Sequence, residues 1–176
     1  MKKIAVLGLG ESLKLFNPEY DLKTTFDYTI GVNDIWRYVK CQAVVCLDIR
    51  SAFNSDRLFW IESCTPEIFY SHIINYDIRK DFKLIKLTSY FSDKICNLDI
   101  SEINKSLCSP FVACGIAYKF HQATEIHLYG VDLIGHTNLK PEMCSRIKLH
   151  FINLKAALKE KDCELIVHGE GLLKNI

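Results

Sequence analysis

The sequence lacks the features that mark several large classes of protein. No apolar run reaches the roughly 18 residues needed to cross a bilayer, so we expect no membrane span. The start, residues 1–8, is too short for a signal peptide, and we expect a cytoplasmic protein. The net charge is only +1, from 22 basic and 21 acidic residues, so composition does not indicate a nucleic-acid-binding surface.

Cysteine pairs and metal-ligand spacings are missing as well. The eight cysteines form no C-x-x-C pair, and several lie in apolar segments such as residues 44–47. Without an export signal, we expect reduced thiols rather than disulfides. No H-E-x-x-H or D-x-D spacing and no P-loop lysine motif occurs. The sequence therefore predicts a site without a bound metal and argues against a phosphoryl transferase.

The most informative stretch of the sequence is the first strand and the turn that follows it. Residues 3–7 form a nearly all-apolar run, which predicts a strand buried on both faces. Gly8 and Gly10 then permit a sharp turn and the close approach of a ligand, and Ser12 stands where a helix would begin. Such a turn either holds a phosphate on its N–H groups or is a plain tight turn. Leu13 replaces the third glycine of the dinucleotide fingerprint, which argues against an NAD site.

Strands and helices alternate through much of the chain. This pattern predicts an α/β fold, a mostly parallel sheet with helices on both faces, and the length predicts a single domain over residues 1–176. The predicted strands are 3–7, 28–34, 43–48, 67–72, 82–87 (an edge strand), 125–132 and 163–169. Residues 88–106 are expected to be irregular or partly helical.

Two helices have clear sequence signals. Ser109 is expected to cap a helix whose first residue is Pro110 and whose small side chains allow close packing on the sheet. A second helix, from about 141 to 161, is expected to bury one stripe. The residues of this stripe are Ile147, Phe151, Leu154 and Leu158.

Polar residues follow several predicted strands, at the edge where ligands bind in an open parallel sheet. The side-chain amide of Asn33 could contact a base or a ribose. Alternatively, Asn33 is a turn residue whose side chain hydrogen-bonds its own backbone. Asp48 and Asp132 suit hydroxyl contacts or proton abstraction, but also capping. For His72, at the end of the fourth strand, the sequence does not decide between a structural and a functional role.

Other histidines fit structural roles. His150 lies beside the buried stripe of the long helix and suits packing. His127 and His168 fall within strands and are expected to be structural.

Taken in order, the strand-end residues resemble the bacterial sialyltransferases that build lipooligosaccharide, and the wider sialyltransferase-like group of nucleotide-sugar-binding proteins. The first strand of that family ends in Gly-Asn-Gly-Pro-Ser-Leu, similar to residues 8–13, and the second ends in an asparagine, matched by Asn33. A small-residue helix that begins with serine, matched by 109–117, leads to a strand ending Gly-Ile-Asp, matched by 130–132. Ile-Gly-His-Ser follows downstream, similar to 134–137.

The resemblance implies a Rossmann-like domain and an inverting, metal-independent transfer from a nucleotide-sugar donor, CMP- or UDP-linked, with no further cofactor. It implies a set of donor-binding residues: Gly8, Leu9, Gly10, Ser12, Asn33, Asp48, Ser109, Gly130 and Asp132. In this assignment Gly8, Gly10 and Ser12 would hold the phosphate, Asn33 and Ser109 the nucleoside, and Asp132 a hydroxyl. It also implies His136 as the catalytic base, with His150 as the alternative. Leu9 and Glu11 replace the family's asparagine and proline, and the family's lid before the histidine is almost absent.

Two acceptors fit the resemblance: a glycan, or hydroxymethylated cytosine in phage DNA, in which case the enzyme would act in the host cytoplasm. A DNA acceptor would be contacted by Trp36, Arg37, Arg50 and Arg57; the alternative for the three arginines is that they are solvated surface charges. The competing interpretation is a non-catalytic module that sequesters or senses a nucleotide. The sequence leaves the sugar, the acceptor and the oligomeric state open.

Overall fold

The computed structural model describes residues 1–78, 81–88, 96–134 and 139–176. The strands in these ranges are β1 (Lys3–Leu7), β2 (Tyr28–Val32), β3 (Ala43–Val45), β4 (Ile68–Ser71), β5 (Phe82–Leu84), β6 (Glu125–Tyr129) and β7 (Glu164–Val167). The α-helices are α1 (Pro18–Thr24), α2 (Ser55–Glu62), α3 (Ser109–Lys119) and α4 (Pro141–Lys159). Short 3-10 turns span Glu11–Leu15, Asn33–Arg37 and Arg50–Ala52.

The strands form one sheet in the order β5-β4-β3-β2-β1-β6-β7, and each pairing between them is parallel. The α/β fold predicted from the sequence is confirmed. The chain builds from β1 out to β5 and then returns to place β6 on the other side of β1. The boundary between β1 and β6 is therefore a topological switch point, where open parallel sheets bind ligands at their carboxyl edge.

Helices cover both faces of the sheet, as expected. Alternate residues of β1 point to opposite faces, because side chains of a strand alternate. Ile4 and Val6 pack in the cluster that contains α3 and α4, whereas Ala5 and Leu7 pack in a second cluster with residues of α2. The predicted stripe of α4 is confirmed, since Ile147, Phe151, Leu154 and Leu158 are all buried.

The predicted element boundaries were less accurate. β2, β3 and β6 end earlier than predicted: Asn33 and Asp34 belong to a 3-10 turn, and Asp48 and Asp132 lie three residues beyond the ends of β3 and β6. The helix expected at Ser12 is a five-residue 3-10 turn, and α1 begins only at Pro18. The prediction that Ser109 caps α3 is wrong: the chain is extended at Cys108, which is the N-cap, and Ser109 is already helical. Residues 89–95 of the predicted irregular segment lie outside the described residues.

All eight cysteines are free thiols, and six of them are buried. Burial raises the pKa of Cys41 and of Cys46 to about 12, so these thiols are protonated at neutral pH. Within the described ranges, no group of three or more His, Cys, Asp and Glu side chains is placed to hold a metal ion. No described helix combines the length and apolar character that crossing a membrane requires.

His121, two residues after the end of α3, lies in an aromatic cluster near the amino edge of the sheet, against the first residue of β2. Its ring stacks on Tyr28 with 4.2 Å between the centroids, and its Nε2 lies 3.1 Å from the hydroxyl of Tyr70. Burial, with Lys2 and Lys83 nearby, lowers the pKa of His121 to about 4. The folded protein therefore holds this imidazole neutral well below its usual pKa of 6.5.

The free energy of unfolding is expected to fall as the pH decreases from about 6.5 to about 4, because the unfolded chain takes up a proton at His121 before the folded chain does. The contribution of this half-buried ring is about 1–2 kcal/mol after solvent screening is allowed for. His121→Gln keeps a hydrogen-bonding group but does not titrate, so denaturant unfolding should show a flatter pH dependence in this window. An equal pH dependence of the free energy of unfolding in the wild type and His121→Gln would contradict the lowered pKa of His121.

Candidate functional site

The turn after β1 packs directly on the turn after β6. The Gly8 N–H donates to the Tyr129 carbonyl at 2.8 Å, and the Gly10 N–H donates to the Gly130 carbonyl at 2.7 Å. A Cβ atom on Gly8 would lie less than 3.0 Å from the Gly130 carbonyl oxygen, and Gly130 has a left-handed φ of +67°. Glycine is thus required on both sides for the two backbones to meet at the switch point.

Ser12 joins the same two turns. It is 4% exposed, its hydroxyl accepts from the Gly130 N–H at 2.8 Å, and its own N–H donates to Asp132 Oδ2 at 2.9 Å. One carboxylate oxygen of Asp132 is therefore already used inside the protein. Asp132 links the end of β6 to the turn after β1.

Most N–H groups of the turn after β1 have protein acceptors. The engaged donors are those of Gly8, Gly10, Ser12 and Leu13. The N–H groups of Leu9 and Glu11 have no hydrogen-bond partner among the described residues. The phosphate role expected for the N–H groups of Gly8, Gly10 and Ser12 would thus require breaking existing bonds, whereas Leu9 and Glu11 keep their donors open.

The chain after β7 also packs at this end of the sheet, a role that was not predicted from the sequence. Gly169 lies against Ser12, and Gly171 lies against the backbone of Asp132, in each case so closely that a Cβ would clash. The Leu172 N–H donates to the Asp132 carbonyl at 2.8 Å. The spacing Gly169-x-Gly171 after the last strand repeats that of Gly8-x-Gly10 and was the available signal.

Asp132→Ala is expected to lower the free energy of unfolding by about 1–2 kcal/mol, because it leaves the Ser12 N–H without an acceptor in a partly buried turn. Asp132→Asn keeps a side-chain oxygen at the same place and should cost about half as much. Denaturant unfolding of the two variants measures both effects. An alanine variant as stable as the wild type would show that the bond contributes nothing.

Asn33, directly after β2, has a strained environment. Its φ is +52°, in the left-handed region, and its Oδ1 is buried with no hydrogen-bond partner among the described residues. Both features cost free energy, since buried polar atoms are normally paired. Leu7 pairs with Gly31, so Asn33 lies beside the turn after β1. A strained residue with an unused acceptor at this position is typical of a binding site.

Ser109 starts α3, which packs across β1 and β2. The helix runs back from the carboxyl edge of the sheet, since the chain that follows it enters β6 at the amino edge. Ser109 therefore lies at the same edge as Asn33. Its hydroxyl has no hydrogen-bond partner within the described part of the chain, and Cys108 provides no side-chain cap. Both residues predicted to contact a nucleoside thus have unused polar groups.

Asp48 and His72 lie further along the same edge. They follow β3 and β4, two and three strands from β1, so roughly 10 and 14 Å separate them from the switch point. Both are exposed. Burial lowers the pKa of His72, Lys105 adds to the effect, and Asp48 opposes it. The structure does not bring these two residues together with the turn after β1.

The remaining histidines differ in their surroundings. His150 is 8% exposed, and its Nδ1 lies 2.9 Å from the hydroxyl of Ser106. His127, in β6, and His168, the residue directly after β7 rather than within it as predicted, contact each other, with His127 Nδ1 3.0 Å from His168 Nε2. His136, with the adjacent residues 135, 137 and 138, lies outside the described residues. The structure therefore gives His150 the surroundings of a packing residue.

The residues expected to contact DNA are each in contact with other side chains of the protein. Trp36 is half-buried and packs against the cluster that contains Ile35 and Ile61. Each arginine bonds to a carboxylate, and the pairs are Arg37–Asp56, Arg50–Glu62 and Arg57–Asp34. Paired guanidinium groups are less available to phosphates than free ones.

No protein-family model and no curated protein matches the sequence. Among solved structures, the chain is similar to a single-residue mutant of CstII, an alpha-2,3/8-sialyltransferase. The TM-score is 0.54 and the sequence identity is 15%, and the match covers 99% of this chain and 84% of that chain. At this identity the likeness concerns the fold, and the sialyltransferase-like fold expected from the sequence is confirmed.

Proposed function

We propose that the chain is a glycosyltransferase that moves a sugar from a nucleotide-sugar donor to an acceptor hydroxyl. The proposal rests mainly on Asn33, which lies beside the switch point. Its backbone is left-handed, and its buried Oδ1 has no hydrogen-bond partner among the described residues. The likeness to the sialyltransferase CstII supports the same class of donor.

The donor would lie across the carboxyl ends of β1 and β2. Asn33 and the hydroxyl of Ser109 would contact the nucleoside, since both have unused polar groups. The N–H groups of Leu9 and Glu11 would donate to the phosphate, because their neighbours in the turn already bind protein acceptors. Gly8, Gly10, Ser12, Gly130 and Asp132 would then act by holding the turn in place.

The transfer requires a base for the acceptor hydroxyl. We assign this role to His136, because His150 is buried and bound to Ser106. The base takes the hydroxyl proton as the acceptor oxygen forms a bond to the anomeric carbon. The bond from that carbon to the donor phosphate breaks, and the nucleotide leaves with the electron pair. Attack from the opposite side inverts the anomeric centre.

The acceptor that we propose is a carbohydrate hydroxyl. A DNA acceptor would be favoured by an excess of positive charge, whereas the net charge is only +1 and Arg37, Arg50 and Arg57 each lie against a carboxylate. Offering glycans and hydroxymethylcytosine-containing DNA as alternative acceptors would distinguish the two. Transfer to the DNA would overturn this choice.

The first test is a thermal-shift panel of CMP, UDP, GDP and ADP with their sugar conjugates, in buffer without divalent cations. A ligand that binds the folded state alone raises its stability by about 2.7 kcal/mol at a hundredfold excess over the dissociation constant. Stabilisation by one nucleotide and its sugar conjugates would support the proposal. The absence of any shift would contradict it.

The second test separates catalysis from binding. His136→Ala is expected to abolish turnover of the donor while leaving nucleotide binding in place, and His150→Ala is expected to act through stability. The Leu9 and Glu11 N–H groups would also serve a module that only sequesters a nucleotide. Such a module would bind the nucleotide and show no turnover in the wild type.

A further inference from the structure

Two arginine–carboxylate pairs join the same two elements, the 3-10 turn Asn33–Arg37 and the helix α2. In one pair Arg57 of α2 binds Asp34 of the turn, and in the other Arg37 of the turn binds Asp56 of α2. They differ in burial. The side chain of Asp34 is 7% exposed, whereas that of Asp56 is 60% exposed. The chain thus contains one pair with a buried carboxylate and one exposed pair between the same two elements, with arginine and carboxylate exchanged.

The Arg57–Asp34 pair has a constrained geometry. Arg57 donates from Nε at 2.8 Å and from Nη2 at 2.6 Å to the same oxygen, Asp34 Oδ1. The guanidinium lies over the ring of Phe53, with its central carbon 4.8 Å from the ring centroid. Stacking and the forked bond fix the plane of the guanidinium, which a lysine ammonium cannot reproduce. Asp34 is therefore held in one position.

Asp34 directly follows Asn33. Its backbone dihedrals, φ −83° and ψ 24°, are not helical. Asn33 itself is left-handed and lacks a partner for its Oδ1, so its own contacts do not explain its conformation. A buried Asp34 without Arg57 would be an unpaired charge, and such a carboxylate moves toward water. Movement of Asp34 would change the backbone dihedrals of Asn33.

We propose that Arg57 is a positioning residue: through Asp34 it holds the Asn33 carboxamide in the orientation that contacts the nucleotide. This inference rests on the proposed function, because it assigns Asn33 a ligand. Arg57 itself does not contact the nucleotide. The exposed pair Arg37–Asp56 is expected to have no such effect, since exposed ion pairs contribute little.

The test compares Arg57→Lys with the matched control Arg37→Lys. Affinity for CMP and for UDP is measured by calorimetric titration well below the melting temperature. The side-chain amide resonances of Asn33 are followed by NMR without ligand. Arg57→Lys is expected to shift these resonances and to weaken nucleotide binding roughly tenfold. Arg37→Lys should leave the resonances in place and the affinity within about twofold.

Several outcomes would overturn the inference. Unchanged Asn33 resonances in Arg57→Lys would do so, and so would equal losses of affinity in the two variants. If Arg57→Lys does not fold, Asp34→Asn removes the charge with nearly the same shape, and unchanged resonances there would also reject the inference. If the wild type binds neither nucleotide, the proposed function fails, while the Asn33 resonances still decide whether Arg57 positions this residue.

Discussion

Asn33→Gly is expected to stabilise the protein and to weaken nucleotide binding roughly 10–100-fold. Glycine adopts the left-handed φ of +52° without strain, and the substitution removes the buried Oδ1 that lacks a partner. The expected gain in the free energy of unfolding is about 1 kcal/mol. The loss of affinity follows from the loss of one or two hydrogen bonds to the ligand. Opposite changes in stability and binding are characteristic of a residue retained for function.

Gln122→Gly provides the matched control. Gln122 also has a left-handed φ, +57°, but it lies beyond the far end of α3, away from Asn33. Relief of strain should again leave the stability equal or higher, and the affinity for the nucleotide should stay unchanged. Denaturant unfolding and calorimetric titration measure both quantities. If Asn33→Gly binds the nucleotide as tightly as Gln122→Gly, Asn33 does not contact the ligand.

Gly130→Ala is expected to lower the free energy of unfolding by about 3 kcal/mol. The alanine Cβ would lie less than 3.0 Å from the Gly8 carbonyl oxygen, and the left-handed φ of +67° adds strain. For a protein of this size the melting temperature should fall by roughly 6–12 °C. Since the overlap lies between two backbones, neither side can yield without moving β1 or β6.

Gly115→Ala is the matched control for this prediction. Gly115 lies inside α3 at an ordinary helical φ, and an added Cβ would meet the methyl group of Ile103 at 3.3 Å. Alanine favours the helix by about 1 kcal/mol, which offsets the tight contact. The stability should therefore stay within about 1 kcal/mol of the wild type. An equal loss of unfolding free energy in the two variants would show that the close contact between the turns after β1 and β6 does not require glycine at position 130.

The sequence predicted best those parts of the fold that follow from local pattern. The apolar run of β1 and the stripe of α4 need only a periodicity, and both were correct. Strand ends were predicted too far along the chain, because polar residues such as Asn33 and Asp48 continue the strand pattern although they lie beyond the last residue of the strand. The strand order, with β6 beside β1, depends on tertiary packing and was not predicted.

The candidate site was only partly predictable for a similar reason. Residues at strand ends were identified, but their partners lie far away in sequence. Asp132 binds the N–H of Ser12 across 120 positions, and this bond removes a donor that the sequence had assigned to a phosphate. The unpaired Oδ1 of Asn33 likewise depends on what surrounds it and has no sequence signal.

A crystal structure of the protein with the nucleotide that gives the largest thermal shift is the most direct test of the proposed donor site. We expect the nucleotide at the carboxyl ends of β1 and β2, with its nucleoside at Asn33 and Ser109 and its phosphate at the Leu9 and Glu11 N–H groups. A nucleotide bound elsewhere would contradict it, for example in the groove lined by Leu98, Ile100, Tyr118 and Phe120 at the far end of α3.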